Sequence, residues 1–304
     1  MMGARVSSPV FLGYSQAELD RAYDQRVWAP DMEATLARCR EAGARVRASA
    51  GMLADIPYGD GADERLDVFP ASAGAPVHVH IHGGAWRIQG KHDASFMAPA
   101  ITGAGMHFVA PHFTNLPGCR MPDMLEQLAR ALGWVYAHAR AFGGDPDRIL
   151  LSGHSSGAHL CAVLATRDWA ARGLPADLVK AALCVSGTYD LTPVLLSARR
   201  SYIDLTPEEA EQLSPLYHAG AVRCPVIVIT GARESPEFVR QGMAFARALR
   251  DADVDIELIH VPGADHFALN EAFGTAGAVP HAAAVRLMRR VGRMMPVEPE
   301  GKTA

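Results

Sequence analysis

The sequence predicts an α/β protein, a mostly parallel, doubly wound sheet with helices on both faces. Three observations carry that prediction. Short apolar runs alternate with amphipathic helical stretches over most of the 304 residues, the pattern of strands joined by crossover helices. Gly153-His154-Ser155-Ser156-Gly157 sits between the apolar run Ile149-Leu150-Leu151 and the apolar stretch Ala158 to Ala165, so a Gly-x-Ser-x-Gly segment occupies a strand-to-helix turn. The length suits one large α/β domain, expected over residues 1–295, and no internal repeat interrupts it.

In order, Ser15-Gln16-Ala17-Glu18 is a capping-box pattern opening a short helix with Leu19 and Tyr23. A second helix is expected from about Asp31, with Met32, Leu36, Cys39 and Val46 on one stripe. Two helices before any strand predict an N-terminal helical arm over residues 1–50. The first strand is expected at Arg65 to Phe69, after the turn Tyr58-Gly59-Asp60-Gly61. Val77 to Ile81 and His107 to Ala110 follow as strands, then a helix from Pro122 carrying Leu125, Leu128, Leu132 and Val135 inward. Further strands are expected at Arg148 to Ser152, Val179 to Val185, Pro225 to Thr230 and Asp255 to Val261. Helices are expected at Pro236 to Leu249 and Pro280 to Met294. Residues 191–222 are irregular apart from a short helix near Pro207 and predict an excursion above the sheet. The tail 296–304 reads as disordered.

Composition narrows the function. Hydrophobic residues make up 49% of the chain, charged residues 20%, and the net charge is −4 with scattered basic residues, which argues against nucleic acid as a partner. No run reaches the ~18 apolar residues of a membrane span, and Met1-Met2-Gly3-Ala4-Arg5 lacks the apolar core of a signal peptide. The five cysteines are dispersed and read as free thiols in a reducing compartment, so the cytoplasm is the expected location. A small-molecule substrate is the expected partner, with a homodimer left open.

Three segments carry chemistry. A serine hydroxyl needs a base to take its proton and a third group to orient that base. Downstream of Ser155, His266 follows the last strand in a Gly-containing loop, and Glu234 follows the strand before it. Both lie at carboxyl ends of strands, where sites form in doubly wound sheets. Asp265 and Glu237 compete as the acid, although Asp265 is adjacent to His266 and poorly placed to meet its ring. A neighbouring carboxylate would push the His266 pKa upward. Upstream, His82-Gly83-Gly84 can approach a substrate closely. The N–H groups of Gly83, Gly84 and Ser156 are the expected oxyanion donors, each worth roughly 3–4 kcal/mol.

With those residues in view, the chain resembles α/β-hydrolases of the kynurenine formamidase (arylformamidase) group, neighbours of the hormone-sensitive-lipase-like esterases. The resemblance rests on His82-Gly83-Gly84-Ala85-Trp86, Gly153 to Leu160, Ser186 to Leu191 and Glu234 to Phe238, and spans about residues 15–290. It implies the α/β-hydrolase fold, a catalytic set at Ser155, Glu234 (Asp in the group) and His266, and no cofactor. The implied reaction removes a small acyl group, formyl foremost, from an aryl amide or ester through an acyl-enzyme. A carboxylesterase for small acyl esters and a catalytically silent ligand-binding relative are the alternatives. The sequence departs at Phe113, where the group usually has Tyr. Trp86, Phe113, Tyr189 and Phe267 are the expected substrate-binding aromatics, with plain core packing as the competing reading. His78, His80 and His82 alternate as zinc ligands would, but no Cys or carboxylate cluster joins them, and no metal is assigned.

Overall fold

Eight strands form one sheet in the computed structural model, which describes residues 9–49 and 51–294. They are β1 (Leu53–Pro57), β2 (Arg65–Phe69), β3 (Ala75–Ile81), β4 (His107–Pro111), β5 (Gly144–His154), β6 (Ala181–Val185), β7 (Val226–Gly231) and β8 (Ile256–Val261). Their order across the sheet is β1-β2-β4-β3-β5-β6-β7-β8. β2 is antiparallel to both neighbours, and every pairing from β4 to β8 is parallel. The expected disordered tail lies outside the described residues.

The central strands are apolar on both faces because helices cover both. Val226 and Val228 of β7 join one core with Leu151, Leu128, Leu160, Phe238 and Phe245. Their neighbours Ile227 and Ile229 join a second core with Leu150, Phe96, Ile101, Phe273 and Leu287. This is the period-two alternation of a strand, with each set meeting a different helical layer.

The structure adds β1, which sequence reading missed. It is an edge strand, exposed along most of its length and broken in register between Leu53 and Ile56. Asp55 and Pro57 give it no apolar alternation to read. The elbow strand also begins earlier than expected, because Gly144 and Asp145 pair with Ala75 and Pro76 before the register breaks.

The two arm helices go to different layers. The helix Gln16–Tyr23 joins the first core through Leu19 and Tyr23; its capping box stands, with Glu18 accepting from Ser15 N–H at 2.8 Å. The helix Met32–Ala48 joins the second core through Cys39. Its buried stripe is Thr35-Cys39-Gly43, with Met32, Leu36 and Val46 only half-buried. A methyl on Gly43 would lie 3.1 Å from the His92 carbonyl, so a close crossing selects the stripe rather than hydrophobicity. Among the described residues, no helix is long and apolar enough to cross a membrane.

Candidate active site

The carboxyl ends of β3, β5, β7 and β8 bring the chemistry together. β5 ends in the turn that holds Ser155, and the helix Ser156–Ala165 starts at once. Ser155 has φ 57° and ψ −122°, a strained backbone for a residue with a Cβ. The turn is tight enough to exclude side chains at both glycines. A methyl on Gly153 would meet the Gly157 carbonyl oxygen at 2.1 Å, and one on Gly157 would meet the Ile81 carbonyl at 2.1 Å.

Ser155 Oγ lies 2.9 Å from His266 Nε2, and His266 Nδ1 lies 2.7 Å from Glu234 Oε1. The other Glu234 oxygen accepts the Gly231 N–H at 2.7 Å, which fixes the carboxylate plane. His266 does not lie in a loop as expected. It opens the helix His266–Ala272, and Asp265 caps that helix by accepting from Phe267 and Ala268 N–H at 3.0 and 2.9 Å. Asp265 is therefore spoken for as a cap. Glu237 is likewise occupied, paired with Arg240 at 2.7 Å. His154 Nε2 donates to the His266 carbonyl at 2.8 Å and holds the backbone that carries the ring.

The relay is shielded from solvent: Ser155 is 6% exposed, Glu234 4% and His266 1%. Burial pushes the Glu234 carboxyl up to about 7. Burial, reinforced by the Arg199 cation, pushes His266 down to about 3, opposite to the upward push expected from a neighbouring carboxylate. Dehydration outweighs the attraction of the nearby Asp265 carboxylate, so the resting imidazole is neutral and free to accept a proton.

The segment after β3 runs alongside. A methyl on Gly83 would lie 3.3 Å from Ser155 Cβ, so this backbone is beside the serine. Gly84, Ala85 and Trp86 have successive φ values of 99°, 54° and 60°, a strained run. Among the described residues, the N–H groups of Gly83, Gly84 and Ser156 donate to no protein acceptor. His159 braces the segment by accepting from Trp86 Nε1 at 3.2 Å and donating to the Leu213 carbonyl at 2.7 Å.

The expected substrate-binding aromatics divide. Phe267 is half-buried and lies edge-on to His266 at 5.1 Å. Trp86 and Phe113 are each 1% exposed and Tyr189 is fully buried. Phe113 stacks on His82 at 4.3 Å and Tyr189 on Phe245 at 4.3 Å, so these three pack in the core. The alternating histidines diverge as well. His78 and His80 share the Ser152 hydroxyl at 2.6 and 2.8 Å, whereas His82 Nδ1 meets its neighbour's carbonyl, Gly83 O, at 2.9 Å. Among the described residues, no group of three or more His, Cys, Asp or Glu could hold a metal ion.

Sequence reading missed Arg199. The expected excursion consists of the short helices Thr192–Leu196, Ala198–Ser201, Pro207–Gln212 and Pro215–Ala221. Its second turn sets Arg199 over Trp86, with the guanidinium carbon 5.8 Å from the ring centre. No local pattern marks an arginine in an irregular segment, so only the fold reveals it. A cavity of about 760 Å³ opens beside the same turn, walled in part by Arg200, Tyr202 and Pro117.

Residues 78–270 match the family model for the alpha/beta hydrolase fold. Kynurenine formamidase of Salmo salar is 30% identical over 269 residues, covering 84% of this chain and 90% of the relative. Esterase LipQ of Mycobacterium tuberculosis is 32% identical over 246 residues, covering 72% of this chain and 58% of that one. The esterase of Pyrobaculum calidifontis superposes with a TM-score of 0.68 at 19% identity, covering 89% of this chain and 96% of that one. The chain belongs to the α/β-hydrolase family and is a hydrolase of its kynurenine formamidase-like, esterase-related branch.

Proposed function

We propose that this hydrolase cleaves a small acyl group, formyl foremost, from an aryl amide or ester through an acyl-enzyme. The observation that carries the reading is the relay from Ser155 through His266 to Glu234 beside three unengaged N–H groups. Ser155 Oγ attacks the carbonyl carbon as His266 Nε2 takes its proton. The oxygen becomes an oxyanion, held by the N–H groups of Gly83, Gly84 and Ser156. His266 then protonates the leaving nitrogen or oxygen, the carbonyl re-forms, and the acyl group remains on Ser155. Water, deprotonated by His266, repeats the addition and releases the acid. Glu234 holds the imidazole in register and stabilises its charged form during each transfer.

The formyl preference draws on the similarity to kynurenine formamidases over most of the chain. A second reading, a carboxylesterase for short acyl esters, draws on the esterase relatives. The cytoplasm is the proposed location, supported by five cysteines without a disulfide, four of them buried. The test of substrate is a kcat/KM series over formyl, acetyl, butyryl and octanoyl esters of one phenol. The expected values fall as the chain lengthens. A maximum at butyryl or longer would replace the formamidase reading with the carboxylesterase.

A further inference from the structure

Arg199 is half-buried, yet no carboxylate lies within salt-bridge distance of it among the described residues. Three aromatic rings surround its guanidinium instead: Tyr23 at 5.3 Å, Trp86 at 5.8 Å and Phe238 at 5.9 Å. Such faces hold a cation in place without neutralising it. One nitrogen donates to the Tyr23 carbonyl at 2.9 Å. The remaining guanidinium nitrogens are not among the buried atoms that lack partners, so they reach solvent. The position is close to the chemistry, since Phe238 lies edge-on to His266 at 5.1 Å and Trp86 follows the Gly83-Gly84-Ala85 segment.

Two more cations on this side also lack acidic partners. Arg87 lies over Tyr202 at 5.1 Å, and Arg200 walls the cavity beside the turn. Neither forms a salt bridge among the described residues, on a chain whose net charge is −4. The cavity's own carboxylates, Asp204 and Glu211, are exposed, and Asp204 faces Arg120 at 3.5 Å. A planar guanidinium with free donors, held in place and outside salt-bridge distance of any carboxylate among the described residues, suits a carboxylate.

We propose that Arg199 binds a carboxylate on the substrate's leaving group and so selects anionic aryl substrates over neutral ones. This rests on the acyl-transfer reading above, because a formyl group has no place for a carboxylate and the leaving amine must carry it.

The test measures kcat/KM for two matched pairs, 4-formamidobenzoate with 4-formamidobenzamide and 4-acetoxybenzoate with 4-acetoxybenzamide, in wild type, Arg199→Gln and Arg199→Lys. The readout is the carboxylate-to-carboxamide ratio, in which any general effect on the machinery cancels. In the wild type the ratio should favour the carboxylate by about ten- to a hundredfold. Arg199→Gln should bring it to about one, and Arg199→Lys should keep part of it. A ratio unchanged in Arg199→Gln, or near one in the wild type, overturns the inference. If only the acetoxy pair turns over and its ratio depends on Arg199, the formamidase reading fails while this one stands. If the formamido pair turns over with a ratio indifferent to Arg199, the reverse holds.

Discussion

At the scale of single residues, roles follow from which polar atoms are already engaged. Three carboxylates lie near His266 in sequence or space, and two are occupied, Asp265 as a helix cap and Glu237 by Arg240. Only Glu234 meets the ring. Glu234→Gln keeps the shape and removes the charge that steadies the imidazolium; loss of the equivalent charge in a serine protease costs ~10⁴ in kcat. A loss of that order is expected here. Asp265→Asn should cost little, because asparagine caps a helix about as well as aspartate. Ser155→Ala should leave less than a tenth of wild-type kcat/KM in a protein that still folds. Steady-state kinetics on the three variants, with circular dichroism to check folding, decides the assignment; a silent Glu234→Gln beside a crippled Asp265→Asn would reverse it.

At the scale of elements, the site is a set of strand ends joined by strained or tight connections. Left-handed backbone recurs at Gly84, Ala85, Trp86 and Ser155, all within the segment after β3 and the turn after β5. Packing holds these conformations, through the Trp86-His159-Leu213 hydrogen bonds and the His154 bond to the His266 carbonyl. Gly84 has the least tolerance: its φ is 99° and a methyl there would sit 2.0 Å from the Ile88 carbonyl oxygen. Gly84→Ala must displace the segment and its N–H groups. The expected result is a fall in kcat of about 10²–10³, the cost of one oxyanion donor, with the far-UV dichroism of a folded sheet retained. Wild-type kcat in that variant would remove Gly84 from the donor set.

At the scale of the whole molecule, six of the eight histidines buried among the described residues are strongly dehydrated: His78, His80, His82, His154, His159 and His266. Dehydration depresses all of them, to about 3 for His78, His154 and His266, to about 4 for His82 and His159, and well below the ordinary value for His80. In the unfolded chain each takes a proton near pH 6.5, whereas in the folded protein each stays neutral. The unfolded state therefore binds more protons between those limits. The histidines' contribution to stability is complete above about pH 6.5 and is lost as pH falls toward 4, offset in part by Glu234, whose raised carboxyl binds a proton in the folded state below about 7. Thermal unfolding from pH 8 to pH 4 should give a level Tm above 7 and a steep decline below 6.5. A Tm that is flat down to pH 4.5 would mean that the histidines are hydrated in solution.

The sequence by itself determined much of the strand-and-helix order and the place of the Gly-x-Ser-x-Gly turn, because those signals are local. Gly153 and Gly157 flank a serine between an apolar strand and an apolar helix, and no other segment of the chain has that arrangement. It also narrowed the acid to Glu234 and two neighbours from their places after strands. Choosing among them needed the fold, since a carboxylate's role depends on which donors reach it, and Asp265 and Glu237 are taken by partners no local pattern announces. The same limit explains β1, an exposed edge strand whose pairing partner defines it more than its own residues do. It explains Trp86, Phe113 and Tyr189, whose ring chemistry is legible in sequence but whose burial is set by neighbours from distant segments. Arg199 was beyond sequence reading altogether. Its meaning comes from Tyr23, Trp86 and Phe238 converging on it and from the absence of any carboxylate within salt-bridge distance among the described residues, and only tertiary structure creates such an environment.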